Sequence, residues 1–328
     1  MKRLIVVLTA LVALPAAAQQ AKPSFDCAKA STDIEKLVCG SPELARADAA
    51  LAATYGALAA KLDAKAKDHL ARDETRWIVR RSHECVGTAA LMYDCVKYGY
   101  EERINRLKLF GDGPYPFIST QTLAKQGRVR QASYKIAASY PQFDGTSADF
   151  AAVNKRFADD TAKAAAEAVP GKDDDLDREQ AWSYDQDFSL ARPVPTAISV
   201  QMSFFSFTGG AHPNGAASAT LVDLRTGKVA RPDDVFAEGW LKRIVDLAHA
   251  DLERQFRERP GFDDALKPDN LAKLLRDSRR YSFYKDKLTL IFNRYDIGPY
   301  VVGPYNVDIP ADRLKPLLRA DGPLAALQ

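Results

Sequence analysis

The sequence predicts an α+β protein, with a small disulfide-stapled helical bundle followed by an α+β domain of antiparallel sheet and packed helices. All four cysteines lie in the first third of the 328-residue chain, among apolar residues at helical spacing. Beyond about residue 117, strand-like segments and helical segments occur in separate blocks, which is typical of the α+β class. The length also favours two domains, since one domain takes about 150 residues.

Composition excludes several classes of protein. Hydrophobic residues make up 46% of the chain and charged residues 27%, which is ordinary for a globular protein. The formal net charge is +3, and residues 24–110 carry 14 basic and 13 acidic side chains. A nucleic-acid-binding protein would concentrate basic charge on one face, so we expect no nucleic-acid partner. Phosphate-binding and zinc-binding motifs are also absent from the sequence, and we expect no cofactor.

The first 18 residues have the three parts of a secretory signal peptide. Lys2 and Arg3 are followed by the apolar run Leu4–Leu14 and by three alanines that end at Ala18. The apolar run is too short to span a membrane, which takes about 20 residues. The sequence therefore predicts cleavage after Ala18 and a periplasmic or secreted protein with no membrane span.

The four cysteines predict two disulfides. Cys27, Cys39, Cys85 and Cys95 form an even set, which in an exported protein indicates a disulfide framework. The tightly spaced pairs of a zinc site are absent. Three connectivities are open. We favour Cys27–Cys39 with Cys85–Cys95, because each then closes a short loop at a helix end.

Residues 24–110 have the spacing of a helical bundle. Thr32 and Glu35 have the spacing of a capping box, Gly40 would end that first helix, and Ser41-Pro42 would begin a second. Apolar residues at helical spacing mark the second helix and two later ones: Leu44, Leu51, Tyr55, Leu58 and Leu62; Leu70 and Trp77; Val96, Tyr100, Ile104 and Leu107.

This segment resembles the LprI-like N-terminal family, a four-cysteine helical module of exported bacterial proteins. The features that carry the resemblance occur in order: Cys27, Asp33–Cys39, Ser41–Leu44, Tyr55, Arg76-Trp77, Arg80-Arg81, Cys85, Cys95 and Arg103. The resemblance implies an envelope protein. It also implies lysozyme inhibition, the activity suggested for the family's namesake.

Residues 111–117 form the predicted linker to the second domain, residues 118–328, because Gly111–Pro116 is rich in turn-forming residues. In that domain we expect helices and antiparallel hairpins rather than βαβ units. The predicted strands are 133–140, 183–190, 196–207, 217–224, 281–292 as a hairpin, and 302–309; the predicted helices are 149–169, 240–257, a short one around 271–275, and 312–318.

The second domain resembles the RsiV-type C-terminal domain together with the companion module found in the deacetylase PdaC. The motifs are Ser139–Pro141, Gly209–Asn214, Val222–Lys228, Asp233–Phe236, Phe292–Tyr300, Gly303 and Ile309-Pro310. The resemblance implies an extracytoplasmic fold, and in the sensor that names the family this region is a lysozyme receptor. Because the sequence has no sigma-binding segment, no spanning helix and no catalytic deacetylase domain, we expect neither anti-sigma nor deacetylase activity.

Candidate binding residues lie on three segments of the second domain. His212 is either a ligand-facing imidazole or a local hydrogen-bonding residue in a glycine-rich turn. Tyrosines on a Gly/Pro-constrained loop suit recognition, although they can equally cover the sheet core. The candidates are His212 and Asn214 on the turn; Tyr295, Asp296, Pro299 and Tyr300 on the loop; and Asp173, Asp174 and Asp175 in an acidic run that suits a basic partner.

The sequence therefore predicts a non-enzymatic binding protein of the cell envelope. Its predicted partners are lysozyme or another muramidase, and peptidoglycan fragments. Two alternatives stay open: an envelope hydrolase acting on peptidoglycan or another glycan through a site that the motifs do not reveal, and a structural envelope factor. Activity on cell-wall glycans would favour the hydrolase, and stoichiometric capture of a lysozyme would favour the binding protein.

Overall fold

A computed structural model of the chain describes residues 22–110, 116–145, 148–171, 174, 176 and 178–327. The predicted signal peptide, residues 111–115 of the predicted linker, Asp173 and Asp175 lie outside these residues. The described residues form two compact units: the first runs up to Tyr55 and includes Arg80–Ile104, and the second comprises Gly56–Val79 and everything from Asn105 onward. Within the described residues, no helix is long and apolar enough to cross a lipid bilayer.

The N-terminal region is helical, as predicted. Its helices are α1 (Asp33–Gly40), α2 (Pro42–Ala59), α3 (Ala64–Glu84) and α4 (Ala89–Leu109). The predicted capping box is present, because the Thr32 side chain accepts a hydrogen bond from the Glu35 amide and the Glu35 carboxylate accepts one from the Thr32 amide. The Ser41 hydroxyl accepts a hydrogen bond from the Leu44 amide at 3.3 Å, which caps α2 as its Ser-Pro start predicts.

Both predicted disulfides are confirmed. Cys27 is bonded to Cys39 with 5.8 Å between the Cα atoms, and Cys85 to Cys95 with 5.4 Å. The first disulfide ties a short 3-10 turn to the last turn of α1, and the second ties the end of α3 to the second turn of α4. Each therefore closes a loop between consecutive elements of the chain.

A buried carboxylate joins two helices inside the first unit. Asp48 accepts hydrogen bonds from the Tyr100 hydroxyl at 2.9 Å and from the Ser24 amide at 2.5 Å. Burial raises the pKa of Tyr100 well above its usual range, so the phenol stays protonated and keeps donating. The contact fixes α2 against α4.

The capping box makes the stability of the first unit dependent on pH. Hydrogen bonds from the Thr32 and Ser31 amides lower the pKa of Glu35 from 4.5 to about 2. A lowered pKa in the folded state stabilises the fold above pH 4.5, and this contribution is lost as the pH falls from 4.5 through 2. We expect the urea midpoint of helix unfolding to fall less steeply over that window in Glu35→Gln than in the wild type. Equal slopes for the two proteins would contradict this.

The second unit contains a six-stranded sheet in the order β1 to β6. Its strands are β1 (Phe117–Val129), β2 (Ala132–Asp144), β3 (Gln180–Val194), β4 (Ala197–Phe207), β5 (Asn214–Asp223) and β6 (Lys228–Ala230). All neighbours pair antiparallel except β2 and β3, which run parallel and are connected by α5 (Ala151–Glu167). The expectation that no βαβ unit occurs was wrong at this step, and β1 was not predicted.

A second, three-stranded sheet follows. Its strands are β7 (Tyr281–Phe283), β8 (Lys287–Phe292) and β9 (Tyr305–Pro310), and the helices around it are α6 (Pro232–Val235), α7 (Trp240–Glu258), α8 (Pro268–Leu275) and α9 (Ala311–Leu314). The last strand begins three residues later than predicted, because Tyr300–Val302 forms a 3-10 turn. Apolar residues of this sheet and of α7 and α8 form one hydrophobic core of the unit.

Part of α3 belongs to the second unit and binds the sheet there. The Nδ1 atom of His69 lies 2.7 Å from the buried carboxylate of Asp144, at the end of β2. One turn further along α3, Asp73 accepts a hydrogen bond from the Thr120 amide at 2.9 Å, and Arg76 donates to the Thr120 carbonyl. These bonds satisfy the backbone of β1 on its open edge.

Candidate binding surface and cleft

The predicted turn and the predicted tyrosine loop come together in space. The ring of His212 stacks on that of Tyr300 with 3.8 Å between centroids and 21° between planes. The Tyr295 hydroxyl lies 3.4 Å from His212 Nε2, and the Tyr300 hydroxyl donates a hydrogen bond to the Pro213 carbonyl at 2.6 Å. We call His212, Tyr295 and Tyr300 the aromatic cluster. Two segments that are far apart in sequence therefore form one surface.

Local bonding orients the ring of His212. Its Nδ1 atom lies 3.0 Å from the Pro213 carbonyl, which can only accept, so in the neutral ring Nδ1 carries the proton and Nε2 accepts from Tyr295. The turn itself requires glycine: Gly209 has φ of +81°, and a Cβ there would lie 2.0 Å from the side-chain oxygen of Gln180. His212 thus hydrogen-bonds locally and is also exposed on the surface.

Asp296 positions the tyrosine loop. Its carboxylate accepts hydrogen bonds from Arg280 at 2.5 and 3.2 Å and from the Asn293 amide at 2.6 Å. The Asn293 side chain pairs with both backbone groups of Ala217 on β5, at 2.8 and 3.0 Å. Tyr295, two residues after Asn293, has its backbone in the left-handed region with φ of 68°. The polar side of this loop is therefore bonded to the protein, which leaves the rings as its outward face.

The other predicted residues differ in exposure. Tyr295 is 54% exposed, whereas Tyr305, which is not one of the candidates, is 1% exposed and belongs to the core. Pro299 is half-buried and precedes the 3-10 turn, and Asn214 is exposed at the start of β5. Asp174 caps its own loop, because its carboxylate accepts a hydrogen bond from the Gly171 amide at 2.6 Å.

Next to the cluster lies a cleft of about 920 Å³ that the sequence did not predict. It lies between α5 and the face of the sheet formed by β3, β4 and β5, and the loop that carries Asp296 also contributes to its lining. Alternate strand residues form its floor, since they point to the same face: Tyr184 and Gln186; Met202, Phe204 and Ser206; Ala216, Ser218 and Thr220.

The charged side chains that line the cleft are paired with each other. Four cations and four carboxylates line it. They form four ion pairs: Arg156–Asp160 at 3.6 Å, Lys163–Glu167 at 4.0 Å, Arg279–Asp277 at 2.9 Å and Arg280–Asp296 at 2.5 Å. The lining therefore has no net formal charge.

Polar groups on the floor are held in fixed orientations. The Tyr184 hydroxyl donates to Gln186 at 2.7 Å, and the Gln186 amide donates to the Thr161 hydroxyl at 2.9 Å. Burial, and to a smaller extent the charge of Glu167, raise the pKa of Tyr184 to about 12, so it stays a neutral donor. The half-buried ring of Phe204 stacks on Tyr184 at 5.8 Å.

The first unit also exposes apolar side chains. Val86, Leu91 and Tyr98 are between 63% and 67% exposed and lie within or just after the loop closed by Cys85–Cys95. Leu91 and Tyr98 are seven residues apart on α4, which places them on the same helix face. We call Val86, Leu91 and Tyr98 the helical patch. Grouped apolar exposure of this kind is typical of protein contact surfaces.

Comparison with known families covers most of the chain. Residues 27–107 match the family described as lysozyme inhibitor LprI. Residues 129–215 match the family described as deacetylase PdaC, and residues 233–312 match DUF3298, a protein family of unknown function. The chain joins an LprI domain to PdaC and DUF3298 domains. The two disulfides and the LprI domain indicate an exported protein.

Individual relatives are distant. An esterase of Mycobacterium tuberculosis is 24% identical over 143 residues, which are 43% of this chain and 62% of the esterase. The chain thus spans less than two thirds of that relative. The crystal structure of a DUF3298 family protein from Bacteroides fragilis matches 65% of this chain and 97% of its own length, with 15% identity and a TM-score of 0.45. The crystal structure of a DUF3298 family protein from Pseudomonas aeruginosa matches 64% of this chain and 97% of its own length, with 18% identity and a TM-score of 0.39.

The helical patch lies within one family match, whereas the aromatic cluster and the cleft each combine residues of two matches. The helical patch lies inside the LprI domain. The aromatic cluster takes His212 from the PdaC domain and both tyrosines from the DUF3298 domain. The cleft likewise has α5 and Phe204 from PdaC, and Arg279 and Asp296 from DUF3298. Since β5 continues past residue 215, one sheet runs through the end of the PdaC match.

Proposed function

We propose that this protein is exported, with its signal peptide cleaved after Ala18, and that it binds a lysozyme-type muramidase of the cell envelope without catalysing a reaction. The observation that carries the proposal is the match of residues 27–107 to the lysozyme inhibitor LprI, together with the two disulfides that staple that region. The description of that family as a lysozyme inhibitor supplies the proposed class of partner.

The aromatic cluster is the proposed principal contact. Its rings are held by stacking and by hydrogen bonds to the Pro213 carbonyl, so little conformational entropy is lost when a partner binds. Tyrosine offers a large contact area with a polar tip, which is why it is frequent in binding hot spots. In this proposal the acidic run Asp173–Asp175 acts on the association rate, since charges at the rim of an interface steer a basic partner.

Calorimetric titration of the mature protein against a panel of lysozymes tests the proposal. We expect saturable binding with a stoichiometry near one, and loss of muramidase activity in proportion to the complex formed. If no lysozyme in the panel binds at micromolar concentration, the muramidase proposal fails.

Truncation of Tyr295 tests the contact surface. We expect Tyr295→Ala to weaken binding roughly thirtyfold, or about 2 kcal/mol, because an exposed aromatic anchor is lost. Tyr295→Phe is the matched control, since it keeps the ring and removes only the hydroxyl near His212. Leu91→Ser and Tyr98→Ser in the helical patch are the comparison variants. If they abolish binding while Tyr295→Ala does not, the contact lies on the LprI domain and the assigned surface is wrong.

A hydrolase acting on envelope glycans or esters is the second candidate function. The similarity to part of an esterase and the PdaC match favour it. Incubation of the same purified protein with peptidoglycan and with a chromogenic ester separates the two candidates, because a binding protein releases no product in excess of its own concentration. Peptidoglycan fragments are the second proposed ligand class.

A further inference from the structure

We propose that the cleft between α5 and strands β3 to β5 is a binding site for an uncharged oligosaccharide. The proposal concerns a neutral glycan, unlike the peptidoglycan fragments named above, whose peptide stems carry carboxylates, and it does not rest on muramidase binding. The site has its own lining, separate from the outward rings of the aromatic cluster. It follows from the size, the charge and the polar groups of the cleft.

The size of the cleft suits a ligand of several rings. At about 920 Å³ it lies near the upper end of the range of about 300–1,000 Å³ that small-molecule sites occupy. Its floor is a regular sheet face and its wall is a long helix, so the shape is fixed by secondary structure. A cleft of this volume has room for several sugar rings.

The charge of the cleft favours a ligand without net charge. Each of its four cations already has a carboxylate within 4.0 Å. An anionic ligand would meet those carboxylates and a cationic ligand would meet the cations, and each would have to replace an existing ion pair. An uncharged ligand rich in hydroxyl groups can instead accept from the arginines and donate to the carboxylates without breaking any pair.

The floor offers the two kinds of contact that a sugar ring requires. Ser206 and Ser218 carry hydroxyl groups that both donate and accept hydrogen bonds, as sugar hydroxyls do. Phe204 lies on the same floor, is half-buried and stacks on the ring of Tyr184. The C–H groups of a pyranose ring carry partial positive charge and pack on the negative face of an aromatic ring. Hydroxyls beside an aromatic platform therefore point to a saccharide.

Binding is tested on the full mature chain by calorimetry with three tetramers: N-acetylglucosamine, glucose and galacturonic acid. The first two are uncharged, and the third carries a carboxylate on every ring. We expect at least one neutral tetramer to bind with Kd at or below about 1 mM, and more tightly than the acidic tetramer. No binding of either neutral tetramer at that concentration, or tighter binding of the acidic one, overturns the proposal.

Two adjacent phenylalanines provide a matched pair of variants. Phe204 lines the cleft, whereas Phe205 is the next residue on β4, is 49% exposed and points to the opposite face of the sheet. We expect Phe204→Ala to weaken binding of the neutral tetramer about tenfold or more and Phe205→Ala to change it less than about twofold. Equal effects of the two variants overturn the proposal.

A measurement on the wild type keeps the test valid if Phe204→Ala does not fold. The bound tetramer should slow amide hydrogen exchange in α5 and in residues 202–220, and leave α7 unchanged. Protection confined to segments outside the cleft overturns the assignment. Because no muramidase is present in these assays, their failure is distinguishable from failure of the proposed function.

Discussion

Removal of the two disulfides is expected to lower the free energy of unfolding of the first unit by about 5–6 kcal/mol. The loops closed by Cys27–Cys39 and Cys85–Cys95 contain about ten to twelve residues, and the loop-entropy estimate gives about 2.5–3 kcal/mol for each. For a small helical unit this is a large part of the total stability, which is about 5–15 kcal/mol for a whole domain. Replacing one pair by serine is expected to cost half as much.

The chain has its own spectroscopic control for this experiment. Trp77, Trp182 and Trp240 all belong to the second unit, which contains no cysteine. In urea titrations with and without reductant, we expect the helical circular dichroism to show an early transition on reduction. Tryptophan fluorescence should then keep its midpoint. A single transition that shifts as a whole would contradict this and would show that the two units unfold together.

Replacing Asp296 by alanine is expected to destabilise the second unit by about 3 kcal/mol. The carboxylate is 20% exposed and Arg280 is 13% exposed, so removing the acid leaves a largely buried guanidinium without its charged partner. The Asn293 amide loses its acceptor as well. Because Asp296 holds the loop that carries Tyr295, the variant should also lose the binding assigned to the aromatic cluster.

The control for this experiment is an exposed ion pair of the same unit. Asp246 bonds Lys242 at 2.9 Å on α7, with side chains 56% and 81% exposed. Asp246→Ala should cost about 0.5 kcal/mol or less, since exposed pairs of this spacing contribute little. Equal losses of stability in the two variants, measured from urea unfolding, would refute the positioning role of Asp296.

Features of the fold that depend on local sequence could be predicted. The capping box at Thr32, the Ser-Pro start of α2 and the pairing of neighbouring cysteines each involve residues close together in the chain, and all are confirmed. The parallel pairing of β2 with β3 was missed, because its register depends on α5 folding back across the sheet. Strand β1 was missed because its second half is exposed and polar, without a clear alternation.

For the candidate sites too, local features could be predicted and contacts between distant residues could not. The tyrosine loop was recognisable because glycine and proline surround its aromatic residues, and the structure brings it to the turn with His212. The role of Asp296 as a partly buried partner of Arg280 could not be read from the sequence, since Arg280 lies on another element. The cleft was missed because its lining combines one α-helix, three strands and three connecting segments, from Arg156 to Asp296.

The parallel step between β2 and β3 has a consequence for the order of assembly. The pair β1–β2 and the meander β3 to β6 each contain only antiparallel neighbours. Such strands can pair starting from the short connections between them. Joining these two ribbons requires the connection from Asp144 to Gln180 to close, which costs more chain entropy than a hairpin turn. We therefore expect the sheet to be completed only once α5 has packed on it. Since α5 forms one wall of the cleft and the meander provides most of its floor, we expect the cleft to acquire its shape late in folding.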